Sequence, residues 1–302
     1  MFSCESLDER TVEVLKQVAA GLSLKTKSFF YQSYAESFYQ YMVHQPEDIW
    51  VRQVLLCDYH SDVMKIYRME CNRRTTPMVV YIEKDERNFF ACGDYPEEEE
   101  KKQNVFTQMD EKMLAMAQEL AEGQMITSVY LIGEGFSEEW MKESLRFLCR
   151  NRRVFQGNNL YSKGACYALR ERLYPTEISG RYVFLGEDKL KANIGMKVYR
   201  QGESSYLALL DAGVSWYDAR FQTEVYLEEG NSFDIVLTPL NGKDARYGKV
   251  TLTGLPERKT PTRLYIEISM TGENKVRLYV EDLGFGELSP SGYQKWTENF
   301  EI

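Results

Sequence analysis

Histidine is almost missing from this 302-residue chain, which has only His44 and His60. Two imidazoles cannot build a histidine-rich metal site, and they argue against a Ser-His-Asp triad. Six cysteines occur (Cys4, Cys57, Cys71, Cys92, Cys149 and Cys166), but none form a Cys-x-x-Cys pair, so zinc-ribbon and dithiol chemistry lack their spacing. Cys57, Cys149 and Cys166 lie among apolar neighbours and read as reduced thiols packed like small hydrophobes. A basic excess is also missing. From Arg181 onward there are 15 Lys and Arg against 18 Asp and Glu, leaving 22 against 28 before it, for a net charge of −9. Neither half is basic, which argues against nucleic acid or an anionic membrane as partner. No apolar run approaches the roughly 18 residues of a spanning helix. The acidic start lacks the order of a signal peptide, so a cytoplasmic protein is expected.

What is present suits a folded protein, with 43% hydrophobic and 27% charged residues. The length predicts two domains. Two glycine sites stand out. Val129-Tyr130-Leu131-Ile132 reads as a buried strand running into Gly133-Glu134-Gly135, and Asn159-Leu160-Tyr161-Ser162-Lys163-Gly164-Ala165 reads as a helix with a Gly-Ala step. Glycine permits close approach of backbone to a ligand or another helix, and helix starts after such turns favour anions. Gly-x-Gly alone is a weak signal, because many strand-to-helix turns use it without a ligand.

The first half alternates helices and strands. Residues 11–22 carry Val12, Leu15, Val18, Ala19 and Leu22 at helical spacing. Residues 25–31 read as a short strand. Ser33-x-x-Glu36 reads as a capping box opening a helix with Tyr34, Phe38 and Tyr41 on its core face. Val54-Leu55-Leu56-Cys57 is a continuous apolar run, as in a strand covered on both faces. Strands at 62–69 and 78–82 complete an antiparallel meander. Phe106, Met109, Met113, Met116 and Leu120 mark a helix over 105–122, stopped by Gly123. After the Val129 strand, Ser137-Glu138-Glu139 predicts a helix start. A short strand at Val154-Phe155 precedes the Gly164 helix, which runs to about Leu173. The order predicts a five-stranded mixed sheet of ribonuclease-H type.

Over 175–180 the helical stripes stop. Short alternating strands follow, separated by turns such as Glu229-Gly230-Asn231, Asn241-Gly242 and Thr271-Gly272-Glu273-Asn274. Leu264, Ile266, Ile268 and Met270 alternate with Tyr265, Glu267 and Ser269, and Val276, Leu278 and Val280 repeat the pattern. The expectation is α/β plus all-β: residues 1–177 as one domain and 178–302 as an antiparallel β-sandwich.

Both halves together resemble the DnaK-type heat-shock chaperones, an actin-like ATPase domain followed by a peptide-binding β-sandwich. Gly248-Lys249-Val250-Thr251-Leu252-Thr253-Gly254-Leu255-Pro256 is similar to the family strand ending Leu-x-Gly-Ile-Pro. The stretches 264–270 and 274–282 with Gly284-Phe285-Gly286 resemble its following hairpin. Gly133 and Gly135 resemble the adenosine motif, and Gly164-Ala165 its closing Gly-Ala. Asp58-Tyr59-His60-Ser61-Asp62 occupies the second phosphate hairpin. The resemblance thus implies a vestigial nucleotide site at Asp58, Gly133, Gly135 and Gly164. It also implies a peptide groove near Ala192-Asn193-Ile194-Gly195 and residues 212–219. There Gly213, Val214, Trp216 and Tyr217 offer apolar surface if they lie in a loop; the alternative is that Trp216 and Tyr217 cover the core.

Departures from the family weigh against activity. Its first phosphate loop and following lobe belong before Arg10, so the expectation is a piece of a longer protein or a lost lobe. Its second hairpin reads Asp-x-Gly-Gly-Gly-Thr, whose amides cluster around phosphate; Tyr59, His60 and Ser61 crowd that approach. The adenine-gripping subdomain expected where 84–104 lies is nearly absent, as is the helical lid. With its positioning loops degraded, phosphoryl transfer is not expected. No catalytic residue, metal ligand or cofactor is predicted, and ATP or ADP with Mg²⁺ belongs only to a longer parent chain. Three readings follow: a chaperone-like module binding an extended polypeptide or protein partner, an ATPase whose missing lobe lies in a longer chain, and a structural scaffold.

Overall fold

Contacts divide the chain into two units that exchange segments. One comprises Met1–Ser6 and Ser23–Gly186, the other Leu7–Leu22 and Glu187–Ile302. The computed structural model describes residues 1–22, 29–240, 244–258, 260–287 and 289–302. The main division falls at Gly186 instead of 178, and residues 7–22 go with the second unit although in sequence they lie between the two segments of the first.

In the first unit, β1 (Phe2–Cys4) leads toward α1 (Glu9–Gly21) of the second unit and pairs in parallel with β2 (Tyr31–Ser33). The strand expected over 25–31 falls largely on 25–28, outside the described residues. The Ser33 hydroxyl accepts the Glu36 N–H at 3.1 Å and caps α2 (Tyr34–Val43), as the capping box predicts. Strands β3 (Gln53–His60), β4 (Val63–Asn72) and β5 (Met78–Asn88) form the antiparallel meander. Then come α3 (Glu99–Ala121), β6 (Ile126–Ile132), α4 (Glu143–Leu148), β7 (Arg153–Gln156), α5 (Leu160–Leu173), α6 (Glu177–Arg181) and β8 (Tyr182–Phe184). The sheet order is β7-β6-β3-β4-β5-β8.

Among the described residues the sheet has six strands, correcting the expected five: Tyr182–Phe184 adds in parallel to Met78, Val79 and Val80 of β5. Three residues are too short to carry a readable alternation, which is why this strand hid inside the domain boundary. Apolar side chains cover both faces of β3. Leu55, Cys57 and Tyr59 join Met109 and Met113 of α3, while Val54 and Leu56 join Phe38 and Met42 of α2.

The helix expected from Ser137 is a second correction. A 3₁₀ turn, Glu134–Phe136, follows the glycine, and regular helix begins only at Glu143. Asp110 of α3 decides this start. Its carboxylate accepts the N–H groups of Glu143 at 2.8 Å and Ser144 at 3.0 Å, together with the Ser144 hydroxyl. The cap comes from another helix, and its three bonds outweigh a local serine.

In the second unit, β9 (Ala192–Arg200), β10 (Glu203–Leu210), β11 (Arg220–Leu227), β12 (Ser232–Pro239), β13 (Arg246–Thr251), β14 (Thr262–Gly272), β15 (Lys275–Gly284) and β16 (Lys295–Glu301) form two antiparallel four-stranded sheets. Their orders are β10-β9-β12-β13 and β11-β14-β15-β16. Leu264, Ile266, Ile268, Val276, Leu278 and Val280 are buried, as their alternation predicts. The turn expected at Asn241-Gly242 lies outside the described residues. Arg258 and Asp282 form a buried two-pronged ion pair at 2.8 and 2.7 Å. Among the described residues, no helix is long and apolar enough to cross a membrane.

Candidate functional site

The carboxyl end of β3 gathers the residues singled out in the first unit. The turn at Ser61 and Asp62 sets the register, pairing His60 with Val63 and Asp58 with Lys65. Strand alternation then puts Asp58 and His60 on the face of α2 and α5, and Tyr59 on the face of α3.

Asp58 is 4% exposed. Its Oδ2 accepts the Tyr161 hydroxyl of α5 at 2.8 Å. Its Oδ1 lies 3.1 Å from His60 Nε2 at an angle unsuited to a hydrogen bond, an ionic contact that attracts only when the imidazole is protonated. Burial raises the Asp58 carboxyl above the ordinary aspartate range, and the Tyr161 bond, His60 and Lys65 act in the other direction. Tyr161 in turn stacks on Tyr34 with centroids 4.3 Å apart. On the neighbouring strands, Lys65 and Lys84 are both held by Glu5, at 2.5 and 2.7 Å. Those hydrogen bonds bring the Glu5 carboxyl down to about 2. Lys65, opposite Asp58, and Lys84, one strand further out, thus share one carboxylate, and Lys84 also pairs with Glu86 at 2.9 Å.

The three glycines have structural neighbours instead of open space. Gly133 has φ +105°, a conformation that favours glycine, and a Cβ there would lie 2.2 Å from the Tyr59 carbonyl oxygen. A Cβ on Gly135 would lie 2.0 Å from the Tyr59 ring. That ring is fully buried, and its hydroxyl donates to the Phe90 carbonyl at 2.6 Å. On α5, a Cβ on Gly164 would meet the Ser37 carbonyl of α2 at 1.8 Å, so this glycine lets two helices touch. Asp58, Gly133 and Gly135 come together at one strand end, whereas Gly164 serves a helix contact. No helix N-terminus follows Gly135 to receive an anion.

In the second unit, Ala192 and Ile194 are buried interior positions of β9, paired with Pro239 and Leu237. Asn193 is half-buried and accepts the Ala212 N–H at 2.9 Å, which ties it to the loop over 211–219. Gly213 sits at φ +89° and donates to Leu190, while Val214 is 38% exposed and accepts the Leu190 N–H. Of the two readings of Trp216, the structure shows the buried one. It is 6% exposed, packs edge-on to Tyr217, and donates its indole N–H to Leu7. The seven residues do gather at one end of the unit, but Ala192, Ile194 and Trp216 are buried, and Asn193 and Gly213 are held by hydrogen bonds to Ala212 and Leu190.

The opposite end is open. A cleft of about 630 Å³ is lined by residues 196–200 of β9, Leu207, residues 223–229 of β11 and its turn, Phe233 and Leu264. Val198, Leu207, Val225, Leu227 and Phe233 are only half-buried there. Strand β11 is an edge strand, with one side of its backbone unpaired within its sheet. Sequence reasoning missed this cleft, because its apolar residues look like any inward-facing strand row. It also missed Tyr161, which lies 103 residues from Asp58.

Residues 1–187 match a family model described as a family of unknown function (DUF5716), C-terminal. The chain belongs to that family. Residues 189–302 match a second model, the domain of unknown function DUF8552. No curated protein matches the chain. The two matches meet beside the Gly186–Glu187 division, but residues 7–22, which fall within the DUF5716 match, belong by their contacts to the DUF8552 unit. Among the described residues, no group of three or more His, Cys, Asp or Glu is placed to hold a metal ion.

Proposed function

We propose that this chain is a binding module that holds an extended polypeptide or a protein partner in the cleft beside β11. In this reading the second unit is a β-sandwich of the chaperone peptide-binding kind. The first is a ribonuclease-H-like half of an actin-like ATPase fold, kept as a framework without nucleotide turnover. The open edge of β11 over a half-buried apolar cleft carries the proposal. An extended segment adding to that edge would satisfy its free backbone groups and send alternate side chains into the cleft. The order of β3 to β7 supports the ancestry, since a meander extended beyond its first strand by β6 and then β7, both parallel, suits the ribonuclease-H type. Tyr59 packed against Gly133 and Gly135 supports the loss of nucleotide. All six cysteines are free thiols, which suits a cytoplasmic setting.

The test is a fluorescently labelled library of extended peptides, titrated against the chain with anisotropy as readout. Micromolar binders are expected, and Leu227→Asp in the cleft wall should weaken them at least tenfold, about 1.4 kcal/mol. A library showing no binding above background overturns the reading.

A further inference from the structure

Helix α1 has an unusual position for an integral element. It lies between two segments of the other unit in sequence, pairs with no strand, and packs along a single stripe. Leu7, Val12 and Ala19 are 3%, 1% and 6% exposed, whereas Val14, Val18 and Leu22 on another stripe are 49%, 43% and 50% exposed. Its entry is the part held by specific polar contacts. Asp8 caps the helix by accepting the Thr11 N–H at 2.7 Å. The Leu7 carbonyl receives the Trp216 indole N–H at 2.9 Å, and Glu9 pairs with Lys275 at 3.2 Å. Gly272 leaves room for the Glu9 carboxylate, because a Cβ there would sit 2.2 Å from it.

The residues that hold the entry of this helix are fixed by hydrogen bonds of their own. Trp216 is fixed by its own N–H donating to Asp188 at 3.0 Å, and Asp218 and Ala219 both donate to the Ser215 carbonyl. Leu190 exchanges bonds with Gly213 and Val214, and Lys189 donates to the Ser215 hydroxyl at 2.7 Å. Gly272 and Lys275 sit on the β14–β15 hairpin, which is secured by its own ladder. A receptor organised by its own hydrogen bonds, and a ligand held by one stripe and one entry, describe docking of a helix on a preformed surface.

We propose that the second unit carries a preformed helix-docking surface around Trp216, Gly272 and Lys275, and that residues 7–22 occupy it as a releasable ligand carried in cis. The ligand class is an amphipathic helix entered through an acidic cap, with apolar residues spaced as Val12 and Ala19. The proposal is independent of the cleft beside β11, which lies at the other end of the strands.

The experiment uses the full chain and a fluorescein-labelled synthetic peptide of residues 6–22. The resident segment competes with added peptide, so the unaltered chain should bind it weakly. A chain carrying Val12→Asp, with its own helix disabled, should bind it at least tenfold more tightly, and a Val12→Asp peptide should not bind. A folded Val12→Asp chain that binds peptide no better than the unaltered chain overturns the proposal. If that variant does not fold, hydrogen exchange on the unaltered chain decides. Amides over 12–22 should exchange at least 100-fold faster than those of β14 through local opening. Equal protection of the two would mean an integral helix and overturn the proposal.

Discussion

The indole N–H of Trp216 donates to the main-chain carbonyl of Leu7 at 2.9 Å, joining residues 209 positions apart. Both partners are buried, so the bond has no water to replace it. Trp216→Phe keeps most of the packed ring and removes the donor, and should cost about 1–3 kcal/mol. Trp216→Ala should cost about 3–5 kcal/mol through the cavity it leaves. Urea denaturation followed by circular dichroism measures both, and equal values for the two variants would contradict this account.

Gly135→Ala drives a methyl group into the Tyr59 ring, which is itself held by Phe90. Overpacking of this kind should cost about 1–3 kcal/mol. Gly133→Ala should cost more, because backbone strain at φ +105° adds to a clash with a carbonyl. If these glycines serve packing alone, Mg²⁺ and ATP should leave the melting temperatures of both variants and of the unaltered chain unchanged. A thermal shift on adding nucleotide would restore a ligand role to the turn.

Asp58 makes stability depend on pH with a definite sign. Burial holds its folded pKa above the unfolded value of about 3.9, so its contribution is complete below that value and is lost as pH rises through the raised one. Asp58→Asn keeps an acceptor for Tyr161 without the buried charge. The stability of Asp58→Asn relative to the parent should therefore improve as pH rises from about 4 to 7, by about 1.4 kcal/mol per unit of raised pKa. Denaturation midpoints across that range measure it, and a flat difference would show that Asp58 is not raised.

Asp110 runs in the opposite direction. Burial pushes its carboxyl up, but the Ser144 hydroxyl and the N–H groups of Glu143 and Ser144 outweigh this and hold it below the ordinary range. Its contribution is present above the unfolded value and is lost as pH falls through the lowered one. Asp110→Ala removes the cap of α4 and should cost about 1–2 kcal/mol at neutral pH. That gap should close progressively below pH ~3.9.

Local signals read well from the sequence. Ser33 and Glu36 form the predicted cap, Leu264 to Met270 alternate as their spacing requires, and the apolar run in β3 is covered on both faces. What failed depends on distant partners. The start of α4 is set by Asp110 on another helix, which no nearby residue reveals. The glycines signalled that something approaches closely, yet a missing Cβ cannot say whether the visitor is a ligand or Tyr59. Val12 and Ala19 showed a stripe to bury but not which unit would cover it. The hairpin turn after His60 could have placed Lys65 opposite Asp58, but only the folded chain brings Tyr161 there.

The two obstructions at the end of β3 differ in kind. An aromatic ring can be cut away by one codon change, which would open the space beside Gly135. The oxygen next to Gly133 belongs to the polypeptide itself, and no substitution deletes it. The two glycines therefore differ in mutational tolerance: a smaller residue at position 59 makes room for a side chain at 135, whereas a side chain at 133 demands that a central strand slide.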